Sequence, residues 1–150
     1  MTAFMLMTAI RSFLNNVVKD TSFETTEGTN KPPQVLDGWL PPKGEGDGPD
    51  YPFILVRPIE GEDICGVSAS AQVKLLFGTY SNDANGFLDV INLMERVRIA
   101  LLTAGIIDGS FRLDSYKWKL FEEQPAPEFV GEAVSFWTLP TIVQEVNLDD

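Results

Sequence analysis

The sequence predicts a single α+β domain: a mixed or antiparallel β-sheet with helices packed on one face, and a long N-terminal loop. Three stretches carry that expectation. From Ser81 to Gly105 apolar residues recur at helical spacing between a cap and a stop signal; from Val67 to Phe77 they alternate as in a half-buried strand; from Asp20 to Asp50 glycine and proline break every period. Residues 1–19 read as a helix, 20–50 as an extended loop and 51–146 as the sheet with its central helix. At 150 residues, 44% apolar and 11% aromatic, the chain can bury one core.

Taken in order, the first helix places Ala3, Leu6, Met7, Ile10, Phe13, Leu14 and Val17 on one stripe, with Ser12, Asn15, Asn16 and Lys19 opposite. MTAFMLMTAI lacks the basic leading region and small-residue cleavage site of a signal peptide and is too short to span a bilayer. In the loop, Gly28, Gly38, Gly44, Gly46 and Gly48 alternate with Pro32, Pro33, Pro41, Pro42 and Pro49, which excludes helix. The apolar knot Val35, Leu36, Trp39 and Leu40 still needs something to pack on. Tyr51 to Arg57 is a short apolar strand buried on both faces and stopped by Pro58, and Glu60, Glu62 and Asp63 form an acidic turn.

The strand from Val67 then turns Val67, Ala69, Ala71, Val73, Leu75 and Phe77 to one side and Ser68, Ser70, Gln72 and Lys74 to the other. In the central helix the core stripe is Phe87, Val90, Ile91, Met94, Val97, Ala100, Leu101 and Ala104; Asn82, Asp83 and Asn85 supply cap oxygens and Gly105 ends it. Ser110 to Leu113 and Tyr116 to Phe121 read as two short strands around an Asp114-Ser115 turn. Glu132 to Leu139 is the last strand, ended by Pro140, with Thr141 to Val146 continuing on an edge.

Composition removes several chemistries. The 22 acidic and 11 basic residues give a formal charge of −11, which opposes tight capture of nucleic acid or an anionic membrane. With no histidine, the chain can build neither a Ser-His-Asp or Cys-His pair nor a His-bearing zinc site. Cys65, the only cysteine, excludes an intrachain disulfide and fits a reduced compartment.

Candidate sites reduce to ordinary structure when the required chemistry is checked. KGEGDGPD, Lys43 to Asp50, is glycine-rich, but Glu45, Asp47 and Asp50 repel phosphate and no helix follows. A calcium-binding loop would need an oxygen ligand where Pro49 stands and a glutamate where Val56 stands. Glu122 and Glu123 are adjacent, with nothing to separate their pKa values as an acid–base pair requires. Ser68 and Ser70 have no base. Lys117 and Lys119, with Arg112, form the one basic cluster, but strand alternation puts Tyr116 and Trp118 on the other face, so stacking and phosphate contact do not cooperate. Those lysines fit a solvated face or acidic groups of another subunit. Asp89, Asn92 and Arg96 form the polar face of the central helix, solvated or at an interface.

The run FLDVINLMERVRIALLTAG followed by FRLDSYKWKLFEEQPAPEFVGEAVSFWTLP resembles tail terminator (tail completion) proteins of long-tailed bacteriophages. The resemblance covers Phe77 to Pro140. It rests on the order of Asp89–Arg98, a helix of the DVLNLIERIR type; the Lys117–Leu120 strand; Glu123–Pro125 with Phe129 and Gly131; and Trp137 with Pro140. The first 50 residues match no such pattern.

What the resemblance implies is a non-enzymatic virion protein, made in the host cytoplasm, that forms a hexameric ring at the head-proximal end of the tail. The ring would stop tube polymerisation, join the tail tube protein to the head-completion or neck protein, and let DNA pass through its lumen, with no cofactor, metal or membrane. Six copies would carry roughly −66, keeping DNA off the wall within a screening distance of about 8–10 Å. The expected contact segments are the loop with Trp39, Leu40, Lys43, Glu45, Asp47 and Asp50; Glu122, Glu123, Gln124, Pro125 and Phe129; and Thr141 and Val143 on the final edge. Asp89, Asn92, Arg96, Lys117 and Lys119 are further interface candidates. The alternatives are another neck or tail component, such as a head-completion or tube protein, and, from a different class, a small intracellular ligand-binding domain with a pocket near Trp39 and Trp118.

Overall fold

The computed structural model describes residues 2–40, 50–143 and 145. Along the chain run α1 (Ala3–Val18), β1 (Phe23–Glu24), β2 (Asn30–Lys31), β3 (Gln34–Asp37), β4 (Phe53–Ile64), β5 (Ser68–Tyr80), α2 (Phe87–Ala104), β6 (Ile106–Ile107), β7 (Phe111–Leu120) and β8 (Glu128–Leu139). Six strands make one sheet in the order β3-β4-β5-β8-β7-β6, parallel between β3 and β4 and antiparallel elsewhere. Both helices lie on one face, as expected of this α+β pattern.

The core forms where the helical stripes meet the inward residues of the central strands. α1 buries Leu6, Ile10, Leu14 and Val18, and Thr2 caps it by accepting from the Met5 amide at 3.1 Å. α2 buries Val90, Leu93, Met94, Val97 and Leu101, and Gly105, at φ +68, donates back to the Leu101 carbonyl. Against them lie Ala69, Ala71, Val73, Leu75 and Phe77 of β5, and Phe129, Ala133, Trp137 and Leu139 of β8. A smaller cluster, Tyr51, Phe53 and Leu55 with Leu36, Leu40, Leu76 and Tyr80, covers part of the opposite face.

Several boundaries differ from the sequence expectation. Gly86, which has no side chain to offer, occupies the α2 cap, and the Asp83 Oδ1 accepts from the Asn85 amide just ahead of the helix. Leu93 belongs to the buried stripe and Phe87 does not. Pro58 does not stop β4: the strand passes it through a register shift between Pro58 and Glu60, since a bulge on an edge tolerates a missing amide. Glu60, Glu62 and Asp63 therefore lie within a long β4–β5 hairpin whose turn is closed by Gly66 at φ +72, with Val67 exposed beside it.

Asp114 and Ser115 form no turn. They sit at a register shift inside the continuous β7, and the hairpin turn lies upstream at Asp108-Gly109, both at positive φ. The Asp20–Asp50 stretch holds no helix among its described residues, but it is not structureless: β1 and β2 pair, and β3 joins the sheet edge. Arg11 of α1 and Asp37 of β3 form an ion pair that ties this segment to the first helix. Thr141, Ile142 and Val143 are exposed and lie in no strand, so the expected edge continuation is absent over those residues. β8 is instead central, between β5 and β7.

Candidate assembly surfaces

Strand pairing leaves both long borders of the sheet open among the described residues. β3 covers β4 only from Phe53 to Val56, and β6 covers β7 only at Phe111 and Arg112. Residues 59–64 of β4 are all exposed, and on β7 residues 117–119 are exposed in the same way. Open edges of this length present unpaired backbone donors and acceptors to another chain. The two borders differ in charge: β4 carries Glu60, Glu62 and Asp63, and β7 carries Lys117 and Lys119.

The candidates from sequence separate onto distinct parts of this frame. Lys43, Glu45 and Asp47 lie outside the described residues. Trp39, 67% exposed, lies under the Arg57 guanidinium, 4.4 Å from the ring centroid, and the Arg57 Nε donates to the Gly38 carbonyl at 3.1 Å. Leu40 packs in the smaller cluster, and Asp50 is exposed. Asn92 and Arg96 line an open groove between α1 and α2 with Val17, Phe23 and Ile99.

Asp89 sits in the first turn of α2. Burial, then Glu24 and then Asp83, raises its pKa above the ordinary carboxylate value. Lys117 and Lys119 project on the helix-free face, where Glu132 accepts from Lys74 at 3.2 Å and pairs with Lys119 at 3.7 Å.

Gln124 in the β7–β8 loop and Phe129 at the start of β8 both make contacts within the chain. The Gln124 amide donates to the Phe121 and Val130 carbonyls at 2.7 and 2.9 Å and accepts from the Val130 amide at 2.7 Å, standing in for a missing strand. Phe129, 7% exposed, is core. Glu122, Glu123 and Pro125 remain exposed around them. This loop and the segment after Pro140 leave opposite ends of β8, which at about 3.3 Å per residue lie roughly 40 Å apart.

Among the solved structures similar in outline is one virion chain. It is a chain of "Virion of native gene transfer agent (GTA) particle", at TM-score 0.49 and 16% identity, covering 89% of this chain and 92% of that one. No protein-family profile matches the chain, and no curated protein matches it in sequence.

Among the described residues the surface carries several grooves, one of them lined by Glu60, Glu62, Ser70, Gln72 and Asp114. The one formed by α1 and the β6–β7 hairpin is open and mostly apolar, lined by Phe4, Met5, Ala9, Phe13 and Ile106. Trp39 lies with Arg57 toward the helix-free face, whereas Trp118 opposes Ala133 on the helix side, four strands away or about 19 Å. One pocket cannot use both. Among the described residues no cluster of three Cys, Asp or Glu could hold a metal ion, and no helix is long and apolar enough to cross a membrane.

Sequence reasoning missed the β4 border. Pro58 and Gly61 masked a strand whose alternation, Glu60 and Glu62 against Ile59 and Asp63, is legible once a bulge is allowed.

Proposed function

We propose that this chain is a structural virion protein of a long-tailed bacteriophage: a tail terminator that closes into a ring, hexameric by resemblance, at the head-proximal end of the tail. The single observation that carries the reading is the sheet with two open borders, because a subunit with a different free edge on each side can bind the next copy head to tail and close a ring. The motif order from Phe77 to Pro140 supports it from the sequence side. The mechanism is geometric. One face of the ring docks on the tube's last ring, and the other refuses a further tube ring and takes up the neck protein. The β7–β8 loop and the segment after Pro140, emerging at opposite ends of the strands, are the natural contacts for those two faces. The net charge of −11 per subunit keeps the lumen from holding DNA.

Electron microscopy of the purified chain, alone and mixed with terminator-deficient tails, tests this reading. Rings of uniform diameter capping one tail end are expected. A chain that stays monomeric by sedimentation in the presence of those tails overturns it.

A further inference from the structure

The two open borders of the sheet are complementary in direction, charge and spacing. β4 is antiparallel to β5, β5 to β8 and β8 to β7, so β4 and β7 run antiparallel to each other. A second copy related by rotation about a ring axis brings its β7 beside β4 with the alternation of the sheet unbroken. On β4, Glu60 and Glu62 lie on the helix-free face, opposite Gln72 and Ser70, and the Gln72 Nε2 donates to a Glu60 carboxylate oxygen at 2.9 Å. On β7, Lys117 and Lys119 lie on that same face, opposite Val134 and Glu132. Each border therefore offers two like charges two residues apart, negative on one and positive on the other.

We propose that adjacent copies join by antiparallel pairing of the Ile59–Ile64 border of β4 with the Ser115–Leu120 border of β7, Glu60 facing Lys119 and Glu62 facing Lys117. This rests on the ring reading above and says which surfaces close the ring. Charge selects both partner and register. Pairing β4 with β4 would set glutamates against glutamates, and pairing β7 with β7 lysines against lysines, so two-fold dimers are disfavoured. With no stagger between copies, Arg57 would meet Lys117, since Arg57, Lys74, Val134 and Lys117 stand at one level across the sheet. Sliding the neighbour by four ladder positions, from the level of Lys74 to that of Ser70, or roughly 13 Å, brings the opposite charges together on one face and uses only unpaired backbone. A closed cylinder of tilted strands requires a stagger of this kind.

The test uses full-length chains. Glu60→Lys with Glu62→Lys makes both borders basic, and Lys117→Glu with Lys119→Glu makes both acidic. All four residues are exposed or at the surface, and far-UV circular dichroism with a melting curve checks that each variant folds. Each double variant alone should lose rings at least tenfold at low salt. An equimolar mixture of the two should regain them, and native mass spectrometry should find strictly alternating subunits, three of each in a hexamer. The fourfold variant should also assemble. Rings that persist in either double variant, or folded variants that fail to rescue each other, overturn the edge pairing and leave the ring reading standing. A wild-type chain that forms no ring with tails removes the ring itself.

Discussion

Replacing Ser135 by alanine isolates a buried relay at the centre of β8. Ser135 and Trp137 are 0% and 1% exposed. The serine hydroxyl donates to the Val73 carbonyl at 2.8 Å and accepts from the Trp137 indole at 2.8 Å. Alanine removes a net hydrogen bond, about 0.5–1.5 kcal/mol, and strands the indole N–H in the core, about 1–3 kcal/mol. The expected loss is about 3 kcal/mol, and at about 2–4 °C per kcal/mol for a chain of this size Tm falls by about 6–12 °C. In a Trp137→Phe background no donor is left to strand, so Ser135→Ala should cost only about 1 kcal/mol there. Urea denaturation followed by far-UV circular dichroism, which does not depend on the deleted tryptophan, closes the double-mutant cycle. A coupling below about 0.5 kcal/mol, the ordinary limit of additivity, would refute the relay.

Three further outcomes follow from the same geometry. Gln124→Ala should cost about 1–2 kcal/mol and speed hydrogen exchange at the Val130 amide, because the side chain serves three backbone groups of the β7–β8 loop. Gly78→Ala should destabilise by about 1–3 kcal/mol in chemical denaturation, since an added Cβ would stand 2.4 Å from the Phe53 ring that lies over this glycine. Asp89→Asn should raise Tm at pH 7 and leave it nearly unchanged near pH 3. The carboxyl binds its proton more tightly in the folded chain, so its contribution favours folding at low pH and is lost as pH rises through its raised pKa. A larger benefit at pH 3 than at pH 7 would reverse that assignment.

Elements with a strong internal period were legible from sequence, and elements that depend on a neighbour were not. The stripes of α1 and α2 and the alternation from Ala69 to Phe77 announce one buried face each, because helix and strand geometry convert spacing into direction. Pro58 read as a stop because a proline cannot donate to a ladder, yet the partner at that level is β5 and the other side is open, so no donor is missed. Asp114-Ser115 carries turn residues, but Asp108-Gly109, with both φ values positive, satisfies the hairpin first and leaves Asp114 to a bulge. Gln124 reads from the sequence as an interface candidate. Its amide is consumed by Phe121 and Val130, a choice that only the three-dimensional closeness of those residues makes.

The candidate surfaces divide in the same way. Lysines at 117 and 119 were visible as one charged face of a strand, and the acidic run from Glu60 was visible as charge but not as a strand border.

What the amino-acid order by itself determined is the inventory: two amphipathic helices, a sheet with one apolar face, a heavy negative charge, and no imidazole for acid–base work near neutral pH. Only the folded chain decided that β8 inserts between β5 and β7, which moves the acidic and basic borders to opposite sides of the sheet and sets them antiparallel. The physical reason is that period and composition act over a few residues, whereas strand order is chosen by which apolar faces bury one another across the whole core.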